Sequence, residues 1–289
     1  MDAAISAQNA RAFSDRLMRA TPRQVLTIAG SDSGCGAGIQ ADIQTIHAHG
    51  GYAVSVITSV TAQNTQGIRA AYDLPLRVIE AQMEAVFLDF DIRAVKTGML
   101  ASRSIVRRVV LLFRRWKMPP LVVDPVMSAK DGCALLKPEA ISWLKSDLLP
   151  LATLVTPNVQ EAEILSETRI DSRADMEAAA RKIHALGCTA VLIKGGHSEV
   201  APACDLFFDG ATALWLEGGW VTSTCGLPPH GTGCVHSAAI AVRLAQGAPL
   251  LEAVRDAKIY ITETLRRAVS VGKGHPSLGI FPVGIAPIH

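Results

Sequence analysis

Several short stretches of this chain combine glycine, small polar residues and titratable side chains in ways that suit chemistry on a small polar or anionic molecule. His230-Gly231-Thr232-Gly233-Cys234 directly precedes an Ala-rich run, Ser237-Ala238-Ala239-Ile240-Ala241. Its glycines leave backbone N–H groups free to converge on one point, and a helix starting there adds positive potential. A phosphoryl group in transit spreads negative charge over its oxygens, and such a cluster stabilises that charge. Cys234 sits at the helix start, where a thiol pKa is lowered toward neutrality, so it is a candidate acceptor for a hydroxyl proton. The alternative is a buried cysteine beside a plain helix cap.

Glu161, three residues after Asn158, either holds Mg²⁺ through water, as nucleotide phosphates require, or completes a capping pair with Asn158. Asp124, before Pro125, poses the same choice between turn former and organiser of metal-bound water. Lys194, followed by Gly195-Gly196-His197, is either a phosphate partner or a solvated lysine. In Gly30-Ser31-Asp32-Ser33-Gly34-Cys35-Gly36-Ala37-Gly38, residues Gly36, Gly38 and Ala41 match a dinucleotide fingerprint, but 52–64 contains no acid for a ribose. That argues against NAD, and no Walker A motif is present. The loop reads as a tight turn, or as one that lets backbone approach a small molecule, with Asp42 on the first turns of the following helix. His47, His49 and His184 lack metal-ligand partners, and Cys204 and Cys225 lack second ligands at zinc spacing.

These stretches need elements to position them. Hydrophobic patterning predicts strands at 25–29, 52–59, 94–97, 121–123, 152–156 and 190–194, and a hairpin at 206–216 turning at Asp209-Gly210. Helices are expected at 37–48, 76–88, 105–113, beyond 158, and at 176–186, 233–245 and 251–269. Such alternation means a mostly parallel sheet covered by helices on both faces. No linker divides it, so a single domain over 21–289 is expected, behind a mobile extension at 1–20. In these folds the ligand lies beyond the carboxyl ends of the strands, which gathers the polar stretches on one edge, together with Lys96-Thr97-Gly98-Met99.

Composition narrows the class. With 289 residues, 49% hydrophobic and 19% charged, the chain can bury a substantial core, and extended disorder is excluded. A net charge of +2 without a long basic run excludes a nucleic-acid footprint; the densest basic stretch, 103–117, has Val and Leu between its charges and reads as a helix face. No apolar run reaches the roughly 18 residues of a membrane span. Six cysteines without a CxxC pair read as reduced thiols, and a soluble cytoplasmic protein is expected.

Ala29-Gly30-Ser31-Asp32 with Gly36-Ala37-Gly38-Ile39-Gln40-Ala41-Asp42 closely resembles the opening motif of the hydroxymethylpyrimidine/phosphomethylpyrimidine kinases of thiamine biosynthesis, within the ribokinase-like superfamily. Further matches follow in order: Thr61-Ala62-Gln63-Asn64-Thr65, Lys96-Thr97-Gly98-Met99-Leu100, Asp124-Pro125-Val126-Met127, Thr156-Pro157-Asn158 with Glu161-Ala162, Lys194-Gly195-Gly196-His197, and the 230–234 stretch. The resemblance implies an ATP- and Mg²⁺-dependent kinase acting on 4-amino-5-hydroxymethyl-2-methylpyrimidine and then on its monophosphate. It implies a three-layer α/β ribokinase-like fold, with a small β lid around 68–72 and a homodimer.

By the same resemblance Gln63 would hydrogen-bond the aminopyrimidine, and Gly30, Ala37, Asp42 and Met99 would shape its pocket. Gly231, Thr232 and Gly233 would form the anion hole, with Cys234 where sugar kinases of the superfamily place an Asp base. Asp124 and Glu161 would organise Mg²⁺ and water, while Asn158 and Lys194 would face the nucleotide phosphates. Three features depart from the family pattern: Cys35, Pro228-Pro229 before the anion hole, and the tail Gly274-His275-Pro276-Ser277. Two other readings stand beside this one. Pyridoxal and pyridoxine also carry a hydroxymethyl group on a flat nitrogen ring, and a non-catalytic pyrimidine sensor would share the fold. The intact 230–234 stretch argues against a sensor, which needs no anion hole for a transition state.

Overall fold

Adjacent residues of the central strands send apolar side chains to opposite sides of one sheet, which is why these strands read as unbroken hydrophobic runs. In β1 (Gln24–Asp32), Leu26 and Ile28 are buried on one face and Val25 on the other. The same alternation holds in β5 (Leu121–Val123), where Leu121 and Val123 oppose Val122, and in β7 (Val191–Lys194), where Val191 and Ile193 oppose Leu192. The computed structural model describes residues 21–116, 119–128, 132, 134–196, 200–219, 221 and 227–283. The expected extension at 1–20, His197, Cys133 and Cys225 lie outside the described residues.

Among the described residues the sheet has nine strands in the order β3-β2-β1-β4-β5-β6-β7-β8-β9. Here β2 is Tyr52–Asn64, β3 Gly67–Asp73, β4 Ile92–Thr97, β6 Leu154–Val155, β8 Asp205–Phe208 and β9 Ala213–Leu216. The six strands from β2 to β7 run parallel; β3 at one edge and the β8–β9 hairpin at the other are antiparallel. One layer of helices consists of α2 (Leu76–Asp89), α3 (Arg103–Arg115), the short α4 (Pro138–Trp143), α5 (Val159–Ser166) and α6 (Arg173–His184). The opposite layer consists of α1 (Gly38–Ala48), α7 (Thr232–Ala245) and α8 (Leu250–Arg266). No helix of the described residues is long and apolar enough to cross a membrane.

The expected alternation is present, with three differences. β2 runs five residues beyond its expected end because β3 pairs with it, and pairing of a polar edge leaves no hydrophobic signal. β6 shrinks to two residues. Between α3's layer and β6 the chain forms α4, a π turn at Leu144–Leu148 and a 3-10 turn at Leu149–Leu151, pieces too short for helical periodicity. The basic face of α3 pairs with α2, Arg108 with Glu80 at 3.1 Å and Arg115 with Glu84 at 2.8 Å.

Topology selects the functional edge. β2 lies on one side of β1 and β4 on the other, so the winding reverses between β1 and β4, and a crevice opens beyond their carboxyl ends. Two register shifts fall there, one between Ala29 and Ser31 in β1 and one between Ala62 and Gln63 in β2. Such bulges redirect side chains.

Candidate active site

The carboxyl ends of the strands open onto a cavity of about 950 Å³. Parallel strands lie about 4.8 Å apart, so the four steps from β1 to β7 spread this cavity over roughly 19 Å. Gly30, Ala37, Gln63 and Met99 line one end, with Asp32 and His230; Asn158, Glu161 and Lys194 line the other, and Asp124, Gly231, Thr232, Gly233 and Cys234 also line the cavity.

At the β1–β2 end, Asp32 organises the loop that follows it. Its Oδ1 accepts from Gly34 N at 2.8 Å, and its Oδ2 from Ala37 N at 2.9 Å and Gly36 N at 3.1 Å. Burial would raise its pKa, but hydrogen bonding to His230 and these N–H groups outweighs it and holds the carboxyl below its ordinary value. His230 Nε2 lies 3.3 Å from Asp32 Oδ2 and 2.8 Å from the Gln63 amide nitrogen. With a proton on Nε2 the ring donates to Asp32; with a lone pair there it accepts from Gln63. Ser33 locks the Gln63 backbone, donating to its carbonyl at 2.7 Å and accepting from its N–H at 2.8 Å.

The tail returns to this end. His275 N donates to Thr65 O at 2.7 Å, His275 Nδ1 meets Pro228 O at 2.9 Å, and His230 N donates to Pro276 O at 2.9 Å. It therefore ties the β2–β3 turn to the loop before α7. A Cβ on Gly274 would lie 2.1 Å from Thr65 O, so this approach requires glycine.

Asp42 is placed otherwise than expected. It does not line the cavity but lies beneath it with no exposure, its carboxylate gripped by Lys96 Nζ at 2.8 and 2.9 Å and by Thr27 Oγ1 at 2.6 Å. Asp42 lies three residues after the buried Ile39 on α1, and a helix of period 3.6 turns both to the same side, which loop patterning does not reveal. Burial would lower the Lys96 pKa, yet Asp42, with Cys234 and Asp124 beyond it, pushes it up and keeps the ammonium charged.

At the start of α7, Gly231 adopts φ 84° and a Cβ there would lie 1.8 Å from Gly36 O, so only glycine lets the two loops touch. The N–H groups of Thr232, Gly233 and Cys234 occupy the first turn and have no intrahelical acceptor. Against expectation, the Cys234 thiol is pushed up, to about 11. Burial is the main cause, and the charges of Asp42 and Asp124 add to it; Lys96 and the Gly38 N–H oppose it and lose.

Asp124 receives Lys194 Nζ at 2.8 Å on one oxygen and Ser237 Oγ at 3.2 Å on the other. Burial opposes its ionisation, but Lys194 and Lys96 hold its pKa below the ordinary value. Glu161 and Asn158 form a reciprocal capping box at 2.8 and 2.9 Å, so the capping alternative is present while both residues still line the cavity. Burial raises Glu161 to about 7, reinforced by Asp124 and opposed by Lys194. No third His, Cys, Asp or Glu joins these carboxylates in a metal-binding group among the described residues. Two hard oxygen donors suit a divalent cation that keeps water and takes phosphate oxygens, rather than one caged wholly by protein.

An open helix start, two buried carboxylates and a lysine in one cavity suit phosphoryl transfer. The phosphomethylpyrimidine kinase family model matches residues 32–279. The chain belongs to that family. Among curated relatives, the hydroxymethylpyrimidine/phosphomethylpyrimidine kinase of Rhizobium meliloti is 47% identical over 252 residues, covering 86% of this chain and 93% of that protein. The thiamine biosynthesis bifunctional protein ThiED of Geobacter sulfurreducens is 45% identical over 251 residues; the match covers 87% of this chain but only 51% of that longer protein. Among solved structures, phosphomethylpyrimidine kinase from Clostridium difficile superposes with TM-score 0.73 at 43% identity, over 83% of this chain and 98% of that one. Pyridoxal kinase from Staphylococcus aureus, in complex with AMP-PCP and pyridoxal, gives TM-score 0.83 at 31% identity, over 91% and 95% of the two chains. The kinase fold is thus ribokinase-like, as the motifs implied. Sequence reasoning gave no role to Asp32, Lys96 or Ser237 in this kinase, although Asp32 and Lys96 stand inside the quoted motifs.

Proposed function

We propose that this kinase transfers the terminal phosphoryl group of ATP to 4-amino-5-hydroxymethyl-2-methylpyrimidine, and then a second to the resulting monophosphate. The observation that carries the reading is one cavity holding the Gln63–His230 pair, the open first turn of α7 and the Lys194–Asp124 pair in sequence. Gln63 offers an amide edge to the aminopyrimidine, between the backbone of Gly30 and Ala37 and the adaptable side chain of Met99. Cys234, as thiolate, takes the hydroxyl proton while the hydroxymethyl oxygen bonds to the γ-phosphorus and the bridging oxygen leaves with ADP. The N–H groups of Thr232, Gly233 and Cys234, which follow Gly231, stabilise the charge on the equatorial oxygens. Lys194 and Asn158 face the nucleotide phosphates. Asp124 and Glu161 would hold Mg²⁺ through water; when bound, that ion neutralises phosphate charge.

Exposed edges and thiols extend the reading. The β2–β3 edge leaves Val60 44% and Tyr72 68% exposed, which suits a lid that pairs with a second copy of the chain. Free Cys35, Cys188, Cys204 and Cys234 suit a reducing cytoplasm. Mass-spectrometric product analysis with Mg-ATP and the hydroxymethylpyrimidine, beside an equal concentration of pyridoxal, tests the activity. Sequential monophosphate and diphosphate are expected. Pyridoxal phosphate alone would overturn the Gln63 pocket, and no product from either would overturn catalysis.

A further inference from the structure

One cavity group has no part in the transfer just described. His236, in the first turns of α7, lines the cavity at 4% exposure, and its Nε2 has no hydrogen-bond partner among the described residues. A buried polar atom left so is costly, and its natural remedy is a ligand or a water. Its other nitrogen, Nδ1, lies 3.9 Å from Asp205 Oδ2. That exceeds a hydrogen bond, yet the carboxylate's field favours the proton on Nδ1. Asp205 is rigidly held: Oδ1 accepts from Gly195 N at 3.1 Å, Oδ2 pairs with Lys258 Nζ at 2.9 Å, and Lys258 also donates to Ala203 O at 2.8 Å.

Burial pulls the imidazole down to about 4, so it is neutral at physiological pH, with one donor and one acceptor. A proton on Nδ1 leaves Nε2 as an acceptor. An ionised phosphate oxygen is itself an acceptor and cannot satisfy it; a ribose hydroxyl or an exocyclic amine can. Gly218, Gly219, Val221, Ile261 and Leu265 line the same cavity and offer an apolar setting for a heteroaromatic base.

We propose that His236, oriented by the Asp205–Lys258 pair, accepts a hydrogen bond from the nucleoside part of the phosphoryl donor and so distinguishes a nucleotide from bare polyphosphate. The inference rests on the kinase reading above. Calorimetric titration of the full chain and of His236→Leu, with ADP and with inorganic pyrophosphate, tests it. The variant should bind ADP about tenfold more weakly, the size of one neutral hydrogen bond, with pyrophosphate affinity unchanged. His236→Gln, whose amide oxygen supplies an acceptor, should recover most of the loss. Titrating wild type with 2′-deoxyADP and with inosine diphosphate separates the two donors: the analogue lacking the right one binds as weakly as ADP binds the leucine variant. His236→Met makes the same comparison should leucine not fold. An ADP affinity within twofold of wild type in a folded variant would overturn the proposal, as would equal weakening of ADP and pyrophosphate. A wild-type chain that binds no ADP would sink the kinase reading and this inference together.

Discussion

Replacing Asp42 by asparagine probes the charge buried under the cavity floor. Asp42 and Lys96 are both without exposure, joined by contacts of 2.8 and 2.9 Å, with Thr27 adding a third bond of 2.6 Å to the carboxylate. Asparagine keeps the shape and one acceptor but removes the charge that Lys96 needs. Removing one partner of such a pair costs about 3–5 kcal/mol, because the other is left buried and uncompensated. At roughly 2–4 °C per kcal/mol for a chain of this size, the Tm should fall on the order of 10 °C. The double variant Asp42→Leu with Lys96→Met removes both charges at similar volume and should recover most of that loss. Differential scanning calorimetry of the ligand-free full chain near pH 7.5 reads both. A fall below about 2 °C for Asp42→Asn would refute the reasoning, since roughly 1 kcal/mol belongs to an exposed pair. A double variant no more stable than the single one would refute it as well, by showing that packing rather than charge holds the site.

Four further outcomes are expected. Cys234→Ala should lose the first phosphorylation by about 10²-fold or more and spare the second, because a phosphate monoester, with a second pKa near 6, needs no base at neutral pH. Equal losses in both steps, measured from each substrate separately, would remove the thiol from proton transfer. With the thiol raised to about 11, the wild-type first step should also climb with pH through the range 7–10, and a flat profile would contradict the thiolate. Gln63→Ala should weaken pyrimidine binding while ADP affinity holds, by calorimetry; parallel losses would contradict its place. Burial keeps Glu161 protonated up to about 7, whereas an ordinary glutamate loses its proton at 4.5. The native state therefore binds more protons between those values, so this group's stabilisation is full below 4.5 and disappears as pH rises through 7. Without divalent cation the Tm should decline across that window, and Glu161→Gln should flatten the decline; an unchanged slope in the variant would count against it.

The cavity edge is legible in the amino-acid sequence. Strands such as Leu121–Val123 announce themselves as short unbroken apolar runs and helices such as Thr232–Ala245 as longer ones, and the rule that ligands sit beyond strand ends turns a list of loops into one place. The role of Glu161 was legible only as a choice between cap and magnesium organiser; the cap of α5 is present, and Glu161 also lines the cavity. Two expectations failed for a common reason. A helix start predicts a lowered thiol, and the motif resemblance implies that Asp42 shapes the pocket, but neither takes account of surroundings that come from distant segments. Cys234 meets the Gly38 N–H of α1 and the charges of Asp42 and Asp124, and Asp42 meets a lysine 54 positions away.

By itself, then, the sequence determined the alternating architecture, the family and the residue types available for phosphoryl transfer, because these rest on short-range pattern and motif order. Tertiary structure alone decided which titratable groups meet. Gln63 reaches His230 across 167 positions, the tail reaches Thr65 across 209, and Lys96 finds Asp42 rather than solvent. A pKa, a tautomer or a buried ion pair depends on charges within a few ångströms and on the water excluded around them. Only the packed sheet and its two helical layers set those distances.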